Sequence, residues 1–439
     1  MSGEKLPEDV LPTILAALEV PDLLRAGCVC SSWRRACDSL RHERELGARI
    51  RPQTPCLLYT NASSGDSAAG LYSLAEEKPY TLALPDPPIR SCYLIGSAYG
   101  WIVTVDRRSE LHLLNPITGD QIDLPSVTTI EQVRPLRDCH GAVRLYEYSW
   151  YTATHTERST PSVFRLHKLR DYVFQKAFLS SDPSTGAYTV VLIHNPYWQL
   201  SFARAGDDHW TWLPDGVMYA DCVFKDDGLL YAMRVDGGIH AYDLSDPALK
   251  PRVVMDGFKV GPGGIYIVQA PCGDLLQIHS DLEYPDEEDE EMPGDEPDLD
   301  PPDDDEYFSE PDRATSEYDA EPAWWSVSED GAEPELDSMP LHEKVVFKVY
   351  RVDLTAKKFV EVSSLGDNVL FLGLNQSLCL YAKEYPELKG NHIYFTDDGE
   401  CMAFGKHEKR DMGVFNLDNL TRRKLFLLGF GPTGHPPCG

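Results

Sequence analysis

Residues 100–124 read GWIVTVDRRSELHLLNPITGDQIDL. The apolar runs WIVTV, LHLL and QIDL are parted by DRRSE and NPITGD. Each run is too short for a helix, and the first is rich in β-branched side chains, so the stretch predicts strands. The spacers carry the chemistry of tight turns. Asp and Asn accept hydrogen bonds from nearby backbone N–H groups, Pro presets φ, and Gly admits positive φ. Strand, turn, strand, turn, strand is the simplest reading.

The same half-unit recurs. Residues 70–84, 110–124, 199–213, 238–254, 346–362 and 413–428 each read as strand, turn, strand. Another strand, often led by Gly, precedes most of them, at 100–106, 187–195, 228–234, 273–280 and 399–405. A further element comes before that in some units, as at 219–227 and 392–398. Four strands per unit, at a spacing of roughly 45 residues, is the pattern of a β-propeller. A lone four-stranded sheet exposes two apolar faces, and stacking sheets in a ring buries them. The number of repeats argues against a β-sandwich or a pair of meanders. Six blades are favoured. The stretch 126–180 is longer than a connection should be and leaves room for a seventh, degenerate blade.

Between the strands at 273–280 and 346–353 the chain carries an acidic segment. Residues 281–337 hold 26 Asp and Glu against Arg313 alone, so most of the net charge of −31 sits there. Runs such as DEEDEE from Asp286 cannot bury themselves and repel one another, so disorder is expected over 281–340, as a loop inserted within a blade. A solvated spacer is the plain reading. The alternative is a lure for a basic partner, with Tyr307, Phe308, Tyr318, Trp324 and Trp325 as anchors. Ser309, Ser316 and Ser328 precede acidic residues, the context read by an acid-directed kinase. The remainder of the chain is near neutral, and neither nucleic acid nor an anionic membrane would attract this protein.

The N-terminus follows a different period. In LPEDVLPTILAALEVPDLLRAGCVCSSWRRAC, residues 6–37, Val10, Leu11, Ile14, Leu15 and Leu18 fall on one helical stripe. Pro12 requires the helix to start late, so that its missing N–H lies in the first turn. Pro21 and Asp22 restart a helix carrying Leu23 and Leu24, and a third helix contains Trp33. So few residues make a core smaller than usually folds alone. Either the helices cap the main domain or a partner protein completes their apolar stripe.

Leu6-Pro7, the Leu-rich positions after them, Pro21-Asp22-Leu23-Leu24-Arg25, and Val29-Cys30-x-x-Trp33-Arg34 resemble an F-box. The resemblance implies docking onto the Skp-type adaptor of a cullin–RING ubiquitin ligase. Leu6, Pro7, Leu11, Ile14, Leu15, Leu23, Leu24, Val29, Cys30 and Trp33 match the motif, some as the core of the module and others as its docking surface. Pro12 departs from the usual pattern. Further on, Ser97-x-x-Gly-Trp101, Leu114-Asn-Pro-Ile-Thr-Gly119, and the run from Leu388 to Asp398 resemble the plant family of F-box proteins with a KIB-type β-propeller. The expected architecture is a small all-α F-box of three helices, residues 1–48, followed by an all-β propeller, residues 55–430.

Catalytic constellations are absent from the pattern. There is no H-x-x-x-H metal pair, no G-x-S-x-G elbow, and GPGG at 261–264 lacks the Lys-Ser/Thr of a phosphate loop. Asp106, Asp221 and Asp227 are the carboxylates a propeller hydrolase would use, but each reads more simply as a turn residue. No metal or cofactor is expected. The favoured function is a substrate-recognition subunit of a Skp–cullin–F-box ligase that performs no bond chemistry. The alternatives are a scaffold that sequesters its partner, and a propeller enzyme. Tyr197-Trp198, Trp210 and Trp212 are the aromatics to inspect for a target grip; blade packing is their commoner role. An odd count of 11 Cys with no C-x-x-C pair, no signal peptide, and no membrane-length apolar run point to the cytoplasm, the nucleus or both. The glycosylation-like triplets at Asn61, Asn375 and Asn419 are then fortuitous.

Overall fold

The computed structural model describes residues 10–15, 17–42, 53–60, 65–151, 158–213, 216–258, 260–261, 263–283, 344–396 and 412–424. Three helices lead: α1 (Val10–Leu15), α2 (Val20–Ala26) and α3 (Ser31–His42). Pro12 sits third in α1, within the first turn, where its missing N–H disrupts nothing.

Seven sheets follow among the described residues, each built from one continuous stretch of chain. Sheet 1 holds β1 (Cys56–Tyr59), β2 (Ala68–Ser73) and β3 (Lys78–Ala83). Sheet 2 holds β4 (Tyr93–Ala98), β5 (Trp101–Val105), β6 (Leu111–Leu114) and β7 (Gln121–Asp123). Sheet 3 holds β8 (Val133–Arg137), β9 (Val143–Tyr148) and β10 (Ser162–Arg165), and α4 (Leu166–Val173) leads out of it. Sheet 4 is β11 (Phe174–Leu179), β12 (Thr189–His194), β13 (Gln199–Arg204) and β14 (Thr211–Leu213). Sheet 5 is β15 (Tyr219–Phe224), β16 (Leu230–Arg234), β17 (Ile239–Tyr242) and β18 (Arg252–Met255). Sheet 6 is β19 (Ile265–Gln269), β20 (Leu275–Glu283), β21 (Lys344–Asp353) and β22 (Lys358–Val362). Sheet 7 comprises β23 (Asn368–Leu372), β24 (Leu378–Tyr381), β25 (His392–Thr396), β26 (Met412–Asn416) and β27 (Thr421–Lys424).

All six half-units read from the sequence are antiparallel hairpins, for example Leu113 opposite Ile122 and Val349 opposite Val362. Their turns use the side chains that marked them. Asn115 accepts from the N–H groups of Ile117 and Thr118 at 3.0 and 3.1 Å, and Asp353 does the same for Thr355 and Ala356. Strands such as β5, WIVTV, are buried along their whole length, as stacking on both faces demands. Outer strands such as β22 are mostly exposed.

Where six units are favoured by the sequence, seven sheets are found. The additional one, sheet 3, comes from the over-long stretch 126–180. Its strands expose Arg134, Arg137 and Arg144 and bury few apolar residues, which blurs the alternation. Sheet 7 also departs from a simple meander: β23 pairs with β25 in parallel and with β24 on its other edge. The strand read at 399–405 lies outside the described residues, as does the acidic segment from residue 284 on; residues 281–283, read as the start of its disordered loop, instead extend β20, where Asp281 pairs with Lys348 of β21 at 3.1 Å. Residues 284–343 join β20 to β21, which are neighbours in sheet 6.

Five sheets are tied together by direct contacts. Gly96 of β4 lies on the backbone of β11, and a Cβ there would stand 2.3 Å from the Ala177 carbonyl oxygen. Asp221 of β15, with no exposed surface, pairs with Lys176 of β11 at 2.8 Å. It also accepts from the Ile267 N–H of β19 at 2.9 Å and from the Ser377 hydroxyl beside β24 at 3.0 Å. Gln376 completes the circuit. Its N–H donates to the Ser97 carbonyl of β4, and its side-chain oxygen accepts from the Leu179 N–H of β11. Among the described residues no helix is long and apolar enough to cross a membrane.

Candidate functional site

The helical module sorts the sequence-predicted residues into two groups. Leu11, Leu15, Leu23, Ala26 and Cys37 form a small buried cluster, with Leu18, Trp33 and Ala36 packed against it. Facing away from that cluster, Val10, Ile14 and Val29 are 39%, 40% and 64% exposed. Cys28 and Cys30 are exposed beside Val29. Of the ten motif residues, Leu11, Leu15, Leu23 and Trp33 therefore build the module, while Ile14, Val29 and Cys30 are exposed. Leu6 and Pro7 lie outside the described residues, and Leu24 falls within α2. Val10 belongs with the exposed set; its place on the α1 stripe marks it, although it is not among the motif positions.

Local chemistry explains the shape. Pro21 opens α2 with Asp22 in its first turn and Arg25 in its last, the polarity a helix dipole favours. Cys30 immediately precedes α3. Its thiol lies 3.1 Å from the Ser32 hydroxyl, and this hydrogen bond, aided by the Trp33 N–H, holds its pKa below the usual thiol value. Inside, the Cys37 thiol is directed at the Leu23 carbonyl at 3.6 Å, joining α3 to α2.

The carboxylates weighed as catalytic are structural. Asp106 accepts from the Arg108 and Glu110 N–H groups in the β5–β6 turn, and Asp227 from the Leu229 N–H and the Tyr231 hydroxyl. Asp221 is not a turn residue, contrary to the simple reading; it is the buried link between sheets described above. The three share no hydrogen-bond partner. Among the described residues no group of three His, Cys, Asp or Glu side chains gathers as a metal ligand set.

The aromatic candidates divide as well. Trp210 is buried and donates its indole N–H to the Pro125 carbonyl at 2.9 Å. Trp212 stacks on Tyr151 at 5.8 Å, and the guanidinium of Arg158 lies over the other ring of that pair. Tyr197 and Trp198 turn the chain from β12 to β13 with φ of 62° and 46°, a left-handed pair that bulky side chains rarely adopt. Tyr197 is 53% exposed, and Trp198 leans on the core between sheets 4 and 5.

Comparison with known proteins agrees with this arrangement. The family described as KIB1-4 beta-propeller matches residues 71–416, and the one described as F-box-like matches residues 4–44. The Arabidopsis thaliana F-box protein SKIP23 is 24% identical over 431 residues, covering 94% of this chain and 88% of its own. F-box protein KIB4 from the same plant is 28% identical over 250 residues, 54% of this chain and 58% of its own. Putative F-box protein At2g33200, also from that plant, is 26% identical over 241 residues, so the match spans about half of either chain, 55%. A propeller region behind three short helices, matched over most of its length, places the chain in the KIB1-4 beta-propeller family, with an F-box-like region at its N-terminus.

Proposed function

We propose that this protein is a substrate receptor of a Skp–cullin–F-box ubiquitin ligase. Its helical module, residues 1–48, docks on the Skp-type adaptor, and its propeller, residues 55–430, holds the target. One observation carries the reading: a module whose described residues form a buried cluster of five side chains leaves Val10, Ile14 and Val29 uncovered. Covering side chains of this kind yields about 1 kcal/mol each at such exposures. That is a useful sum for association and a poor state for an isolated surface. Ile14, Val29 and Cys30 are assigned to the adaptor surface together with Leu6, Pro7 and Leu24; Leu11, Leu15, Leu23 and Trp33 are assigned to its support.

In this role the protein breaks no bonds. It raises the local concentration of the charged ubiquitin carrier around the target's lysines. The work is intracellular, in the cytoplasm or nucleus, where the ligase acts. Residues 284–340 serve as an acidic loop between two strands of one blade, available to a basic partner.

Co-purification with a Skp-type adaptor tests the reading. Ile14→Asp and Val29→Asp should each abolish capture while leaving the melting temperature of the chain unchanged. Equal capture of wild type and both variants would exclude the assigned surface. A target that accumulates on removal of the protein, only where the proteasome normally turns it over, separates receptor from sequestering scaffold.

A further inference from the structure

The helical module does not hang free of the first sheet. The guanidinium of Arg25, at the end of α2, donates to both carboxylate oxygens of Glu76 at 2.8 and 2.7 Å. The same group donates to the Tyr80 hydroxyl at 2.6 Å and to Asp22 within its own helix. Tyr80 in turn donates to Glu76, and Arg25 lies over the Tyr80 ring at 5.7 Å. Glu76 sits in the β2–β3 turn, where its own N–H donates to the Ser73 hydroxyl oxygen at 3.3 Å. Hydrogen bonds from Arg25 depress the Glu76 pKa, so the pair stays ionised.

At the other end of α2 the chain entering sheet 1 makes a second set of bonds. The Gln53 side-chain amide donates to the Leu18 carbonyl at 3.1 Å, and the Thr54 N–H and hydroxyl donate to the Glu19 carboxylate at 3.3 and 3.4 Å. Thus α2 is held before its first residue and near its last. Seven residues of helix span about 10 Å. Two attachments that far apart define a direction, whereas one would define only a tether. A lone exposed ion pair is worth little, but a bidentate guanidinium–carboxylate pair with a third acceptor has the geometry that resists reorientation.

We infer that Arg25, Glu76 and Tyr80 form a latch that fixes the orientation of the helical module on sheet 1. Arg25 is then a positioning residue turned toward its own propeller, although it lies inside the docking motif, and the surface left to the adaptor is the Val10, Ile14 and Val29 side. The consequence for ubiquitin transfer rests on the proposed function; the latch itself does not. A receptor with a fixed module holds its target at a set distance from the ubiquitin carrier.

The test uses the full chain with spin labels on keto-bearing side chains introduced at exposed positions 17 and 120. Wild type should give one narrow distance peak. Arg25→Ala and Glu76→Ala should each lose it, with no further loss in the double variant. Arg25→Glu should lose it and Arg25→Glu/Glu76→Arg should regain it, which a misfolded chain could not do. A narrow peak retained by Arg25→Ala overturns the latch. In parallel, Arg25→Ala should leave adaptor affinity unchanged, while Val29→Asp weakens it about tenfold or more. Loss of adaptor binding by Arg25→Ala as severe as that of Val29→Asp would make Arg25 a docking residue and overturn its assignment. Failure of wild type to bind any Skp-type adaptor would remove the proposed function and leave the spin-label result standing.

Discussion

Replacing Asp221 by Asn should cost more than any exposed carboxylate in the protein. The side chain is fully buried, and its oxygens face Lys176 at 2.8 Å, the Ile267 N–H at 2.9 Å and the Ser377 hydroxyl at 3.0 Å. Asn keeps one acceptor and most of the volume but removes the charge, so the nearly buried Lys176 ammonium loses its counter-ion. Breaking a buried pair in this way costs about 3–5 kcal/mol, because the orphaned charge keeps its desolvation penalty. The rings of Phe178 and Tyr266, with centroids 5.4 and 5.5 Å from the ammonium, soften the loss and favour the lower end. Adding Lys176→Met should recover at least 1 kcal/mol, since no charge then remains to be left alone. Urea unfolding of the single and double variants at pH 7 provides the cycle. The account fails if Asp221→Asn costs under about 1 kcal/mol, or if the two substitutions simply add.

Three further outcomes follow from the packing. Gly96→Ala should destabilise by about 1–3 kcal/mol, because the new methyl meets backbone that cannot yield, and thermal melting will register it. Burial holds the His194 pKa down to about 4, with its ring between the Asn195 carbonyl and the Ser201 hydroxyl. The unfolded chain takes up a proton near the ordinary value of 6.5 and the folded one does not, so stability present above that value is lost as pH falls, by about 2 kcal/mol from pH 7 to 5. His194→Asn should flatten that slope, and an imidazole resonance titrating near 6.5 would refute it. His112 behaves oppositely: burial lowers its pKa, but the Asp106 carboxylate 3.8 Å away and the hydrogen bond to Asp123 outweigh burial and raise it. Its contribution is full below the ordinary histidine value and fades as pH rises through the elevated one, which an imidazole titration of wild type against Asp123→Asn will show as a downward shift in the variant.

What the sequence made legible was local. Hairpins such as 110–124 announce themselves because both strands and the turn lie within fifteen residues and the Asx side chains are visible as letters. The three leading helices follow from spacing and from Pro and Asp at helix starts. Features set by distant pairing stayed hidden. Asp221 looks like any turn Asp until Lys176 and Ser377 arrive from far along the chain. Arg25 and Glu76 are 51 residues apart and carry no mark of each other. The parallel pairing of β23 with β25 has no local signal, since β24 intervenes in sequence. In α4, eight residues long, the buried Arg170 interrupts the apolar side chains Leu166, Leu169, Tyr172 and Val173 that pack on the core. Core and surface of the helical module are not separable by letter, because Ile14 and Leu15 are neighbours in sequence and opposite in exposure.

Each sheet is contiguous in the chain, and no described strand is traded between the first and last of them. Gln376, between β23 and β24 of sheet 7, gives its backbone N–H to sheet 2 at Ser97 and its side-chain oxygen to sheet 4 at Leu179. An in-frame duplication or deletion of about 45 residues would therefore add or subtract a finished unit without unpicking its neighbours. Gene-level tinkering can change the circumference of such a scaffold in whole steps, while the helical head at its start is inherited untouched.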